Sequence, residues 1–296
     1  MRGFRFVTVD VFTEARFGGN QLAVFPDARG LSDAEMQALA AEFNLSETTF
    51  VLPAESPHNS ARVRIFNRTA EMPFAGHPNV GTAFVLARED EESPRAYRFE
   101  EPAGLVEVVL ERDATGRVIG ADVAAPQPLV LGVPLDVDAI AACAGLGPAA
   151  VVTARHPPLP ASVGNPFVIA EVAPDALARA KPVLAAFEAA CAARPDMGSR
   201  LSLYLYARGD GTALRARMFA PLSGTWEDPA TGSAASPLAA LLLSLGEEDE
   251  GRWEVTQGVE MGRPSRLSVG ARRTADGIRA TVGGRCVPVL RGEALL

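Results

Sequence analysis

Glu71-Met72-Pro73-Phe74-Ala75-Gly76-His77-Pro78, led in by Arg64-Ile65-Phe66, reads as a strand, a small-residue turn and the start of a helix. The run that follows, Val80-Gly81-Thr82-Ala83-Phe84-Val85-Leu86, is apolar nearly all round, which predicts a helix buried on every side. Pro78 suits a first helical turn, where its missing N–H would have no partner anyway. The same order returns later as Arg217-Met218-Phe219 and Glu227-Asp228-Pro229-Ala230-Thr231-Gly232-Ser233-Ala234, again followed by an apolar run. Gly19-Asn20-Gln21 upstream has its own echo in Gly164-Asn165-Pro166. Both repeats are spaced by about half of the 296 residues, too far for a solenoid unit, so two copies of one domain are expected.

Each turn carries one acid–base side chain, His77 in the first and Asp228 in the second. Two such junctions imply two facing helix N-termini with an active site between them. The opening N–H groups of a helix lack internal partners and carry partial positive charge. Gly76, Gly232 and Ser233 keep side-chain bulk low there, so a ligand carboxylate can approach the backbone. The alternative is that the glycines only make tight turns. A histidine at a helix start is disfavoured as a cation, so His77 is expected to be neutral. Asp228, Glu227, Thr231 and Ser233 suit helix capping as well as catalysis, and the sequence leaves both open. Glu47 enters the apolar strand Thr48-Thr49-Phe50-Val51-Leu52, where desolvation would suit a general acid–base group. His58 and His156 lie in proline-containing loops and read as structural or exposed. Cys143, Cys191 and Cys286 have no metal or disulfide spacing, and none falls at a junction, which excludes a two-thiol epimerase.

A net charge of −8 argues against nucleic acid and anionic membranes as partners. The opening residues lack a signal-peptide pattern and no apolar stretch reaches a membrane span, so a cytoplasmic protein is expected. Ser32-Asp33-Ala34-Glu35 is a capping box that starts a helix. An alanine-rich stretch at roughly 174–193 reads as one long helix. Proline-rich residues 126–134 form the expected linker. The halves are then 1–127 and 128–282, with a last strand at about 283–296 expected to return to the first.

Several blocks resemble the phenazine biosynthesis PhzF-like proteins. They include Val9-Asp10-Val11-Phe12-Thr13, Gly19-Asn20-Gln21-Leu22-Ala23-Val24, Asn44-Leu45-Ser46-Glu47-Thr48-Thr49-Phe50, Ala75-Gly76-His77-Pro78, the Asp228 block, Gln257-Gly258 and Met261-Gly262-Arg263-Pro264-Ser265. The resemblance implies an α+β, diaminopimelate-epimerase-like fold. Its two pseudo-symmetric halves each curl a mainly antiparallel sheet around a central helix. It also implies a homodimeric isomerase that needs no metal or organic cofactor and acts on a small carboxylate of the dihydro-hydroxyanthranilate type. Glu47 matches the glutamate that moves a proton between ring carbons. His77 and Asp228 match the family's histidine and aspartate, Ser233 its serine and Gly76 its glycine. Asn20 and Gly232 are expected to bind substrate with them. Asn79 departs from the usual threonine or alanine, which points to an altered substrate fit. Two other readings stay open: an amino-acid epimerase or racemase without thiols, and a small-carboxylate binder without turnover.

Overall fold

The structure is a computed structural model that describes residues 2–90, 92–195 and 201–296. The chain forms two compact units, one of residues 1–126 and 282–296, the other of residues 127–281.

In the first unit the elements run β1 (Gly3–Val11), β2 (Asn20–Phe25), α1 (Asp33–Phe43), β3 (Glu47–Leu52), β4 (Ala61–Phe66), β5 (Glu71–Met72) and α2 (Gly76–Glu89). Strands β6 (Ala96–Glu101), β7 (Gly104–Arg112) and β8 (Val118–Ala124) follow. Most pairings are antiparallel, with β2–β3 and β4–β6 parallel. The apolar sequence of α2 is matched by its surroundings. The helix is buried from Gly76 to Val85 and touches β1, β2, β3, β7 and β8. A second cluster under α1 stacks Phe25 on Phe50 at 4.9 Å and sets Phe66 edge-on to Phe50. The capping box forms as read: Ser32 accepts from the Glu35 N–H while the Glu35 carboxylate accepts from the Ser32 N–H.

Gly81 shows how closely α2 is packed. A Cβ there would lie 2.6 Å from Leu22 Cδ2 and 2.8 Å from Val11 Cγ2. Replacing glycine inside a helix gains up to about 1 kcal/mol of propensity, less for a β-branched residue, whereas overpacking a dense core costs about 1–3 kcal/mol. Packing wins here, because both neighbours are fully buried. Gly81→Val is therefore expected to lose about 2–3 kcal/mol, read as a lower urea midpoint. An unchanged midpoint would show that the helix can shift away from β1 and β2.

The second unit runs β9 (Val130–Leu131), α3 (Val137–Cys143), β10 (Val151–Val152), β11 (Leu159–Ser162), β12 (Pro166–Val172), α4 (Pro174–Arg179), α5 (Leu184–Ala192), β13 (Leu203–Arg208) and β14 (Ala213–Ala220). It continues with β15 (Thr225–Asp228), α6 (Gly232–Ser244), β16 (Glu250–Gln257), β17 (Ser265–Thr274) and the start of β18 (Gly277–Leu295). From Val282 onward β18 belongs to the first unit, where it pairs antiparallel with β1. Helix α6 is buried over nearly all its length and touches β11, β12, β16 and β17. The architecture is thus α+β, with a mainly antiparallel sheet packed on one buried helix in each unit.

The alanine-rich stretch differs from the sequence expectation. It is two helices, α4 and α5, because Pro182 disfavours helical geometry at the residue before it. The break is used: the Lys181 and Val183 N–H groups donate to Ala144 O and Cys143 O at the end of α3. Among the described residues no helix is long and apolar enough to cross a membrane.

Candidate active site

The first junction brings Glu47 and His77 together. Glu47 opens β3 beside Leu22 of β2, and His77 is the second residue of α2. His77 Nε2 lies 3.4 Å from Glu47 Oε2, and both side chains are largely buried. Burial pushes the His77 imidazole down to about 3, while a hydrogen bond to the Gln21 backbone works the other way. The ring is therefore neutral at ordinary pH and the contact is not an ion pair. A hydrogen bond that favours the cation is one the ring donates. Nε2 has no hydrogen-bond partner, so the donating atom is Nδ1. The single N–H of the neutral ring is thereby committed to Gln21, and Nε2 presents its lone pair to the carboxyl group. Two acceptor atoms at this separation leave room for one exchanging proton.

The backbone at this junction is open as well. The residue before α2, Ala75, offers no side-chain cap, and the first turn holds no acidic residue. Gly76 is the first helical residue and is buried. Asn20, also buried, opens β2 opposite Val11, at the end of the sheet where Glu47 begins β3. Asn79 is fully buried inside the first turn, and its Nδ2 donates to Ala75 O at 3.0 Å. It supports the turn from within.

The second junction is held by a buried network. Thr231 Oγ1 donates to Asp228 Oδ2 at 2.5 Å. Gln257 Nε2 donates to Asp228 O at 2.8 Å and to Thr231 Oγ1 at 3.0 Å. Gln257 Oε1 accepts from Thr231 N–H at 3.2 Å and from Tyr204 Oη at 3.0 Å. Asp228, Thr231, Gln257 and Tyr204 are all buried. Burial, reinforced by the Asp228 carboxylate, raises Tyr204 far above its ordinary value, so the phenol keeps its proton. Donation thus runs one way, from Tyr204 through Gln257 and Thr231 to Asp228. Gly258 presses on the same segment: it has φ 75°, and a Cβ there would meet Pro229 O at 2.5 Å.

This network answers the capping question for Thr231. Its side chain does not cap α6, whose first turn also lacks an acid. Gly232 is buried at the helix start and Ser233 is half-buried beside it. Glu227 is a structural partner: both its oxygens pair with Arg217, at 2.8 Å each, and Arg217 lies over Phe219. Arg64 makes the same two-point pair with Glu71 and lies over Phe66 in the same way. His156 proves buried, bonded to Tyr206 Oη at 2.9 Å, which in turn donates to Glu171. The three cysteines form no disulfide and lie on α3, α5 and β18. Burial pushes Cys143 up to about 11 and Cys286 higher, the opposite of an activated thiol. Among the described residues no three His, Cys, Asp or Glu side chains gather as a metal ion requires.

Comparison with known proteins identifies the family. A family model described as phenazine biosynthesis-like protein, PhzC-PhzF, matches residues 9–292. An uncharacterised isomerase of Mesorhizobium japonicum is 38% identical, with 100% of each chain covered. The trans-2,3-dihydro-3-hydroxyanthranilate isomerase of Pseudomonas chlororaphis is 36% identical, over 98% of this chain and 99% of that one. The crystal structure of a PhzF-family phenazine biosynthesis protein of Bacillus anthracis superposes with a TM-score of 0.87 at 25% identity, covering 100% of both chains. The chain belongs to the PhzC-PhzF family of phenazine biosynthesis-like proteins and is a PhzF-type isomerase.

Proposed function

We propose that the chain shifts a proton on a small ring-bearing carboxylate, of the kind named for its Pseudomonas relatives, without a cofactor. The observation that carries this reading is the neutral His77 Nε2 facing Glu47 Oε2 at 3.4 Å. Glu47 takes a proton from an activated C–H and the bond's electron pair enters the neighbouring π system. The proton then returns from Glu47 to another ring carbon as the double bond moves, so no electrons are gained or lost. His77 orients the carboxyl group by accepting a hydrogen bond at Nε2. Asp228, held by Thr231, accepts a hydrogen bond from substrate. The backbone at Gly76, Gly232 and Ser233 takes the substrate carboxylate, and Asn20 contributes a further polar contact. We assign the enzyme to the cytoplasm as a homodimer on family likeness. Light scattering in solution checks the dimer.

Incubation with trans-2,3-dihydro-3-hydroxyanthranilate in D₂O, followed by proton NMR, tests the assignment. A double-bond shift with less than one solvent deuterium per turnover is expected, because a proton held on a shielded Glu47 returns before it exchanges. Complete deuteration at a stereocentre with no double-bond shift would replace this reading with an epimerase. The rate–pH profile should also lack a His77 inflection near 6.5. The folded-state value is depressed to about 3, so the ring stays neutral throughout the working range.

A further inference from the structure

Arg217 joins three segments of the second unit through the three nitrogens of one buried guanidinium. Nε and Nη2 donate to the two oxygens of Glu227 on β15, at 2.8 Å each. Nη1 donates to Leu177 O at 3.0 Å and to Ala180 O at 2.7 Å, at the end of α4. The group itself stands on β14, over the ring of Phe219. The break at Pro182 is what opens this end of α4 to it. In an unbroken helix Leu177 O would accept from the Lys181 N–H, which here donates to Ala144 O.

Strand β15 has little else to fix it. It is four residues long, and its register on β14 shifts between its two pairs, Met218 with Asp228 and Ala220 with Thr225. Trp226, its largest side chain, is exposed. Side chains alternate along a strand, so Glu227 and Asp228 leave β15 on opposite faces. Glu227 turns to Arg217 and Asp228 to Thr231. We propose that Arg217 is a positioning residue: by tying Glu227 to the end of α4 it fixes β15 from behind and sets the place of the Asp228 carboxylate. The clamp follows from these contacts; its effect on rate rests on the role proposed above for Asp228.

The same arginine borders the turn that follows Gln257. Glu260 pairs with Arg215 at 2.7 Å and comes within 4.0 Å of Arg217 Nε. Asp228 is thus supported on one side by Gln257 and Thr231, and its strand on the other by Arg217. The first junction has a matching pair without a matching clamp. Arg64 holds both oxygens of Glu71, but its remaining nitrogen goes to Asp33, an exposed side chain at the start of α1. Water can replace that contact. It cannot readily replace the bonds from a buried guanidinium to backbone carbonyls, and removing one partner of a buried charge pair leaves the other uncompensated.

Arg217→Lys keeps the charge and loses the fork, since one ammonium can meet Glu227 or the two carbonyls but not hold both. Turnover of trans-2,3-dihydro-3-hydroxyanthranilate is compared in the native enzyme, Arg217→Lys, Asp228→Asn and the double variant, with single-turnover kinetics for the slow forms. Arg217→Lys is expected to lower kcat/KM about ten-fold in the native background, as a small misplacement does. In Asp228→Asn the same change should cost less than about two-fold, because the group it places has gone. General loosening of the unit would slow both backgrounds alike, so equal losses overturn the proposal. Glu227→Gln, which removes one acceptor oxygen, takes the place of Arg217→Lys in the cycle if the lysine variant does not fold. Amide exchange followed by NMR reads the clamp without substrate. Exchange at Glu227 and Asp228 should speed up about ten-fold in the variant while α6 stays unchanged, as expected of a local opening. Unchanged exchange in β15 overturns the clamp. Faster exchange with no turnover by any form, the native enzyme included, supports the clamp and rejects only the substrate proposed above.

Discussion

Glu47→Gln is expected to lower kcat by about 10³-fold, within the range of positioned acid–base groups, and to leave anthranilate affinity within a few-fold of native. Glutamine has nearly the size of glutamate and can still hydrogen-bond. Its amide cannot take a proton from carbon at neutral pH. The substitution also changes the pair it belongs to. His77 offers a lone pair at Nε2, and the introduced amide would donate to it, freezing one arrangement in place of an exchanging proton. Stability should barely respond, because the carboxylate is not an ion-pair partner of the neutral ring. Single-turnover kinetics and a thermal melt give the two numbers. Undiminished turnover would remove Glu47 from the proton path. Lost turnover with lost binding would make it a ligand contact instead.

The features legible in the sequence are those set by local rules. Gly76-His77-Pro78 announces a helix start, because proline fits the first turn and the apolar run behind it must be buried. The Ser32-Glu35 box is equally local and forms as read. The alanine-rich stretch fails as a single helix for an equally local reason, since composition favours a helix throughout and Pro182 divides it. Thr231 is an instructive intermediate. Its type suits an N-cap, yet its hydroxyl goes to Asp228, because Gln257 already supplies an acceptor for the Thr231 N–H. Nothing near Thr231 in the chain signals a glutamine 26 residues away. Asn79 reads from the sequence as a residue of substrate fit, whereas its bond to Ala75 O inside the first turn of α2 shows only in the fold. His156 reads as a structural or exposed loop residue, and only the fold reveals its partner Tyr206 on β13. The chemistry of the family is thus written in short blocks, while the groups that hold those blocks in place are not.

Gln257→Leu is the substitution with the largest expected effect on stability, and it lowers the rate as well. Gln257 is fully buried and all its polar capacity is used: two bonds accepted, from Tyr204 and Thr231 N–H, and two donated, to Asp228 O and Thr231 Oγ1. Leucine fills similar space but strands several of these partners away from water. Each buried group left unpaired costs about 1–3 kcal/mol, and relaxation keeps such costs from adding in full. A loss of about 3–5 kcal/mol in urea unfolding is expected, near the largest values single substitutions produce. The rate should fall by at least about 10²-fold even where the protein remains folded, as misplacement of a supported group by about 1 Å can do. Thr231 would lose the donor that fixes its hydroxyl, and Asp228 would lose a fixed Thr231. Tyr204→Phe removes only the first donor of the chain and should cost about 1 kcal/mol. Combined with Gln257→Leu it should cost less than the sum, because the Tyr204 hydroxyl is already stranded once its acceptor has gone. Additive losses in that double-mutant cycle, or native kcat in Gln257→Leu, would mean that Asp228 is placed by its own turn and not by this network.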